Sequence, residues 1–551
     1  MRAAHEDNRK RVKTWKPKTK TGCRTCRVRR IKCDEAKPFC RRCVSTGRQC
    51  DGYEVQDALT RKSSSASPVR LLIEDPSLLI GTAEEREFFH FFQVHTACEF
   101  TGFFDSSVFV NGTLQASQFR PEIRHALTAL GAMHQKFLSG HTTVVPDDPS
   151  DLQIRFALQQ CNQSLTHIRQ QTVVKAEIET MLTLCMLYFS FACLQGHQAT
   201  GLAHLRHALY MLAEMQTGQS PSFESHPLTV GSIRGAFIGL DSMARALLPD
   251  VNLKDWITLP GAAVNPQEPP EIFHSLAEAE ACSEANFNGL LSSLQEISHT
   301  PPSQELVRLA IDKHKDFSAR FRKFGLALES YVDKELHNLD FRQKKTVSML
   351  RLYRSIASST LAILSQSPMY GEVAWDNVVP SFTSIVDCAA RILGETCVDE
   401  LAATVFCTPG IREQYPNECD EYCAEARRIM DISKRPPSFS CRFGVVFPLY
   451  LVAARCREPL LRRKALGLML HYPRREGLWD GVLAARLAFE CMCLEEDAVP
   501  GPVTCAKDIP EECRIKGVAI HYTGPRQAEA EMRTTAEHKL NKPGVKRFVT
   551  W

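Results

Sequence analysis

The stretch CRTCRVRRIKCDEAKPFCRRCVSTGRQC (Cys23 to Cys50) places cysteines at 23, 26, 33, 40, 43 and 50. The spacing is C-x2-C-x6-C-x6-C-x2-C-x6-C, two copies of one C-x2-C-x6-C unit. A C-x2-C pair brings two thiolates onto one tight turn, near the separation a tetrahedral Zn²⁺ requires. Six thiolates cannot give two separate four-cysteine sites. Two zincs each reach four ligands only if two thiolates bridge both metals. Thiolate-rich tetrahedral coordination suits zinc, and neighbouring Lys and Arg balance the remaining negative charge. The stretch has few apolar residues for a core (Val28, Ile31, Phe39 and Val44), so metal binding should supply most of its folding energy.

Between the second and third cysteines lies Arg27-Val28-Arg29-Arg30-Ile31-Lys32. The composition suits a short helix starting near Arg24. At helical spacing Val28 and Ile31 share one side and can face the cluster. Arg27 and Arg30 share another, which would point guanidinium groups into a major groove. Arg matches guanine O6 and N7, a contact worth about 1–3 kcal/mol of discrimination. Arg24, Arg27, Lys32, Arg41 and Arg42 are the candidates for phosphate contacts, which position a protein on DNA without reading sequence and make binding salt-dependent. From Met1 to Cys50 there are 17 Lys and Arg against 4 Asp and Glu, a net of +13, while the rest of the 551-residue chain carries a net of −9. A basic end on a mildly acidic body is the footprint of a nucleic-acid contact at that end. The run from Arg9-Lys10-Arg11 through Lys20 reads as a nuclear import signal, a disordered phosphate-binding arm, or both.

The segment CRTCRVRRIKCDEAKPFCRRCVSTGRQCDGY, Cys23 to Tyr53, resembles the DNA-binding domain of the fungal Zn(2)-Cys(6) binuclear cluster transcription factors. The likeness includes the basic run after the second cysteine, the Cys33-Asp34 pair and the Lys37-Pro38 loop. It implies that Cys23 and Cys40 bridge the metals. One zinc would hold Cys23, Cys26, Cys33 and Cys40, and the other Cys40, Cys43, Cys50 and Cys23. It further implies base readout by Arg29 and Arg30 on guanine-rich, CGG-like half-sites of double-stranded DNA, and a nuclear protein.

After Tyr53 the Ser-rich run ALTRKSSSASPVR (Ala58 to Arg70) reads as a flexible linker, followed by LLIEDPSLLI (Leu71 to Ile80), which mixes acidic and apolar residues and starts packing on the body. No sustained heptad lies between Glu54 and Gly81, so a zipper dimer is not expected. From Thr82 the pattern is helical: Ile123, Leu127, Leu130 and Phe137 after Pro121, then Ile154, Leu158, Cys161, Leu165 and Ile168, then Leu202, Leu205, Leu209 and Leu212. Val347, Leu350 and Leu352 are less regular. Arg514 to Tyr522 reads as a strand.

The fold expected is a small Zn(2)-Cys(6) module followed by a large all-α regulatory domain. The expected division is a basic disordered arm (1–22), the DNA-binding module (23–53), a flexible linker (54–81), the helical domain (82–500) and a partly ordered tail (501–551). The body resembles the helical regulatory domain C-terminal to the cluster in that family, which often senses metabolites or contacts other regulators. A second likeness is FGVVFPLYLVAARCREPLLRRKAL with HYPRREGLWDG (Phe443 to Gly481), a segment common in one large group of these regulators. Here Pro448 and Pro459 should bound a helix, Arg462-Arg463-Lys464 should form an exposed face, and Trp479, between Gly477 and Gly481, should anchor a turn.

The start of the chain has no apolar run of the secretory kind, and no stretch of about 18 apolar residues appears, so no membrane span is expected. Met181 to Leu194 fits a buried core helix. The 22 cysteines then read as thiols or metal ligands in a reducing compartment. No G-x-x-x-x-G-K-[ST], H-E-x-x-H, G-x-S-x-G or G-x-G-x-x-G is present. Cys419, Cys423, Cys491 and Cys493 read as buried helical thiols, and His204 and His207 lack a third ligand. The expectation is a sequence-specific DNA-binding regulator of RNA polymerase II transcription and not an enzyme. By resemblance it governs a biosynthetic cluster or metabolic pathway, as a possible homodimer or with other regulators. The rival readings are a DNA-anchored corepressor or adaptor and an enzyme with an appended DNA-binding module.

Overall fold

The computed structural model of the chain describes residues 22–29, 31–37, 39–50, 81–103, 107–139, 148, 150–170, 178–217, 230–247, 266–299, 303–405, 435–524 and 526–551. The basic arm up to residue 21, the linker from 54 to 80, Arg30, Cys419 and Cys423 lie outside them. Two units separate along the chain, Met1–Leu79 and Ile80–Trp551. The first holds two short helices, α1 (Arg24–Val28) and α2 (Arg41–Val44).

The second unit begins on a capping box. Thr82 Oγ1 accepts the Glu85 N–H at 3.1 Å, and the Glu85 carboxylate accepts the Thr82 N–H at 2.7 Å. This satisfies two of the donors a helix start leaves free, and α3 (Ala83–Phe91) follows. Helices α4 (Ala97–Phe100), α5 (Ser107–Phe119), α6 (Pro121–Ser139), α7 (Leu152–Gln170), α8 (Ile178–Gln195), α9 (Gln198–Thr217) and α10 (Val230–Leu247) come next. Pro121 takes the first turn of α6, and Ile123, Leu127 and Leu130 are fully buried. On α7 the buried stripe is Ile154, Ala157, Gln160 and Ser164, while Leu165 turns to solvent. Among the described residues α8 is the helix long and apolar enough to cross a membrane (mean hydropathy 1.4), but 78% of it is buried. It packs between α6 and α9 as a core helix.

Long helices α11 (Leu276–His299), α12 (Gln304–Glu335) and α13 (Phe341–Tyr370) form a second layer, with α14 (Val379–Leu393) and α15 (Val398–Ala403) beyond. The irregular Val347, Leu350 and Leu352 sit on α13 and are all buried. Their spacing covers two faces because α13 packs against α11, α12 and α14 at once.

The segment Phe443 to Gly481 is the hub of this unit. It spans α16 (Val446–Arg455), α17 (Pro459–His471) and the strands β2 (Arg474–Glu476) and β3 (Trp479–Asp480). β1 (Ser438–Ser440) runs parallel to β2, and β2 antiparallel to β3. The carboxylate of Glu476, fully buried, accepts the N–H groups of Gly444, Val445 and Val446 at 3.0 Å each, so it caps the start of α16. A Cβ on Gly444 would lie 2.0 Å from Glu476 Oε1, so only glycine fits there. Asp480 accepts the Val482 and Leu483 N–H groups and starts α18 (Gly481–Asp497). Trp479 is buried, as expected, and the turn before it is Gly477 at φ +56°.

Two expectations about this segment change. Helix α16 begins at Val446, two residues ahead of Pro448, which sits in the first turn where its missing N–H costs nothing. Arg462 is not exposed. It is fully buried and donates to Glu495 at 2.9 Å, beside Arg457, which donates to the same carboxylate at 2.8 Å. Arg463 and Lys464, partly exposed, pair with Glu496 and Asp399. The triplet lies within α17 and spans its buried and exposed sides, and charge alone did not reveal which member turns inward.

The last fifty residues carry a three-stranded antiparallel sheet: β4 (Ile515–Gly524), β5 (Gln527–Thr534) and β6 (Val545–Thr550). Alternate residues of β5 (Ala528, Ala530 and Met532) are buried and pack with Leu483, Leu487 and Cys491 of α18. The helical body is therefore closed by an element of another class.

Burial pushes the Glu495 carboxyl up, but Arg457 and Arg462 outweigh it and hold it below its ordinary value. Its stabilising effect is thus complete above the unfolded pKa of about 4.3 and is lost as pH falls through the lower folded value. Glu495→Ala strands two buried guanidinium groups and should cost about 3–5 kcal/mol by urea unfolding. Lys464→Ala, paired with an exposed Asp399, should stay within about 0.5 kcal/mol of the parent.

Candidate metal centre and nucleic-acid interface

Each C-x2-C pair opens a short helix in the same way. Cys23 Sγ accepts the Cys26 N–H at 3.4 Å, and Cys40 Sγ accepts the Cys43 N–H at 3.3 Å. The first sulfur of each pair takes the N-cap place and the second lies on the first turn, so both face the same way. Cys33 Sγ accepts the Cys23 and Glu35 N–H groups at 3.4 Å. Gly22 lets this loop close, since a Cβ there would lie 2.9 Å from Cys33 Cβ.

Four sulfurs, from Cys23, Cys26, Cys40 and Cys43, lie within 4.8 Å of one another. Cys26 is 3.6 Å from Cys40 and 3.8 Å from Cys43, and Cys23 is 3.8 Å from Cys43. A tetrahedron with Zn–S bonds of about 2.3 Å has edges of about 3.8 Å. The sulfurs therefore stand at the spacing zinc demands. Cys23 also interacts with Cys33 and Cys50, and Cys40 with Cys33. Cys26 and Cys43, which the resemblance assigns to different zincs, are in contact, so the six sulfurs make one compact cage.

Burial raises the thiols of Cys23 and Cys26, and that of Cys40 up to about 12. Cations among these sulfurs favour the thiolate, the form that binds metal. None of the described cysteines forms a disulfide. Four of the six are wholly inaccessible to solvent, whereas Val28, Phe39 and Val44 are 76%, 57% and 62% exposed and Ile31 is also exposed. The expectation that Val28 and Ile31 face the cluster is overturned. Two C-x2-C turns leave room inside for sulfur, so the described residues of the module form no hydrocarbon core.

Of the candidate DNA contacts, Lys32, Arg41 and Arg42 are exposed. Arg29 is half-buried, its guanidinium 3.5 Å from Thr46 Oγ1. The Thr46 hydroxyl in turn donates to the Arg42 carbonyl at 2.8 Å, just past the end of α2. The side chains of Arg24 and Arg27, and all of Arg30, lie outside the described residues. Two further exposed cations, Lys37 and Arg48, were not among the DNA contacts expected from the sequence. They stand outside the basic run that drew attention, though inside the cysteine frame.

Residues 21–59 match the model of the fungal Zn(2)-Cys(6) binuclear cluster domain, and residues 87–312 that of the fungal specific transcription factor domain. The chain thus carries the two domains of a fungal Zn(2)-Cys(6) transcription regulator, one in each unit. It is 25% identical to the aspercryptin biosynthesis cluster-specific transcription regulator of Emericella nidulans, over 90% of this chain and 91% of that one. A transcriptional regulatory protein of Schizosaccharomyces pombe, moc3, is 52% identical over 61 residues, 11% of this chain and 12% of that one. The transcription regulator lscL of Purpureocillium lilacinum is 24% identical over 34% of this chain and 48% of that one. No solved structure matches the chain. These two domains imply duplex DNA as partner, a binuclear zinc thiolate cluster and a nuclear role.

Atomic absorption on the purified chain should return two zincs per molecule. Stripping them with a chelator should abolish duplex binding while the far-ultraviolet circular dichroism hardly changes, because α1 and α2 are a small part of the helix present.

Proposed function

We propose that this regulator reads guanine-containing, CGG-like half-sites with the segment Arg24 to Lys32, held rigid by its two zincs. Cys23 and Cys40 bridge the metals. Cys26 and Cys33 complete one site, and Cys43 and Cys50 the other. Arg29 and Arg30 contact bases, while Arg24, Arg27, Lys32, Arg41 and Arg42 contact phosphates. The observation that carries this reading is the packing of four cysteines at tetrahedral sulfur spacing, with Cys33 and Cys50 in contact with them and the basic run attached directly to the cage. Contact of Cys23 with sulfurs of both C-x2-C-x6-C units supports its bridging role. The approach of Arg29 to Thr46 supports a side chain oriented by the cluster.

The chain acts in the nucleus on RNA polymerase II genes, with no catalytic activity of its own. The linker 54–81 connects the basic arm (1–22) and the module (23–53) to the helical regulatory domain (82–500) and the tail (501–551). Its targets are genes of one biosynthetic cluster, a reading supported by the name of the Emericella nidulans relative and the length over which the two chains align.

Selection of the zinc-loaded full chain against random duplexes should enrich a guanine-containing motif, and enrichment of nothing would sink the reading. Arg30→Ala should cost about 1–3 kcal/mol on that motif and relax preference at one base. Arg41→Ala should weaken binding evenly and lower the salt slope by about 1.

A further inference from the structure

In the unit Ile80–Trp551 a cavity of about 310 Å³ lies between the helices and the C-terminal sheet, at the low end of the roughly 300–1,000 Å³ of small-molecule sites. Helices α10, α16 and α18 and strand β4 wall it. The wall is apolar along Leu247, Leu451, Leu483 and Leu487. Trp479 forms part of it, with its ring centroid 5.2 Å from that of Tyr450 and 5.3 Å from that of Phe447.

Most polar groups on this wall are already committed. The Asp480 carboxylate accepts the Val482 and Leu483 N–H groups and pairs with Arg475 at 2.8 Å. Arg455 pairs with Glu372 at 2.9 Å and donates to the Ile515 and Lys516 carbonyls. The Cys491 thiol, pushed up to about 12 by burial, stays neutral. Three groups remain, and all are donors. The Trp479 indole N–H is buried with no hydrogen-bond partner among the described residues. Burial raises the Tyr450 phenol well above its ordinary value, so it keeps its proton. The Lys516 ammonium stands exposed at the rim, with no carboxylate within 4 Å among the described residues.

A cavity lined largely by leucines and aromatic rings, with spare donors and one spare cation at its rim, is the complement of an apolar acid. We propose that this cavity binds a small molecule with an apolar body and a carboxylate. The body fills the space among Leu247, Leu451 and Leu487. The carboxylate accepts from the Trp479 indole N–H and pairs with Lys516 at the rim. Such a ligand touches α18 and β4 together, so it ties the sheet to the helical body, and the regulator gains a site for a metabolite effector of defined chemistry. The assignment stands apart from the reading of DNA by the zinc module.

Calorimetric titration of the zinc-loaded full chain with octanoate and 2-naphthoate, and with the primary amide of each, tests it. Saturable binding of at least one acid, one per chain, is expected. Lys516→Ala should weaken the acid about fivefold and leave the amide unchanged, because only the acid carries charge. Trp479→Phe should weaken acid and amide alike, by about fivefold, through loss of the shared donor. Leu487→Trp, which fills the cavity, should abolish both. If that variant unfolds, Lys516→Ala decides the matter, since its side chain is at the surface. Absence of saturable binding by either acid, or equal effects of Lys516→Ala on acid and amide, overturns the proposal. Duplex binding of the same preparations is read in parallel, so failure of the DNA reading and failure of this one are told apart.

Discussion

Sulfur crowding governs the N-terminal unit. Small domains cannot bury enough apolar surface to hold themselves together, and this one turns most of its few apolar side chains outward. What it buries is cysteine. Thiols packed at van der Waals distance contribute little, while thiolates at that distance repel one another until a divalent ion sits among them. The metal is thus the core, and folding and metal binding are one event. A five-residue helix such as α1 has no stability of its own in water. That it forms at all is a property of the cage.

The helical unit relies on a different device, buried carboxylates. Glu476 ties three successive backbone N–H groups at the start of α16, and Glu495 of α18 joins Arg457 in the α16–α17 turn, Arg462 of α17 and the Ile515 N–H of β4. Each buried charge is met by several donors, which is the condition under which such charges are tolerated. These contacts give the segment Phe443 to Gly481 a physical meaning. Its glycines and acidic residues are fixed by one another: Gly444 by the carboxylate pressed against it, and Gly477 by the left-handed turn before Trp479. The same hub forms part of the cavity wall, through Phe447, Tyr450 and Trp479.

The cysteine spacing carried the zinc centre because ligand chemistry leaves few solutions for six thiolates so arranged. Helical periodicity likewise carried α9, and it marked α6 although the middle turns of that helix, Ala126 to His134, are buried all round. It failed where a helix packs on several sides, as α13 does, and it misplaced Val28 and Ile31, since helical spacing says which residues share a face but not what that face meets. Arg462 was misread for a related reason. A buried arginine looks like an exposed one until its partner, Glu495, is brought from 33 residues away. The cavity was not legible at all. It is made by long-range closure of β4 over α16 and α18, and nothing local in the sequence marks Trp479 as a donor left without an acceptor.

The zinc cage is tested most directly by X-ray absorption at the zinc edge of the purified chain. The account predicts four sulfur neighbours per zinc at about 2.3 Å, with a second zinc as the next heavy scatterer. Nitrogen or oxygen in the first shell, or no neighbouring zinc, would contradict it.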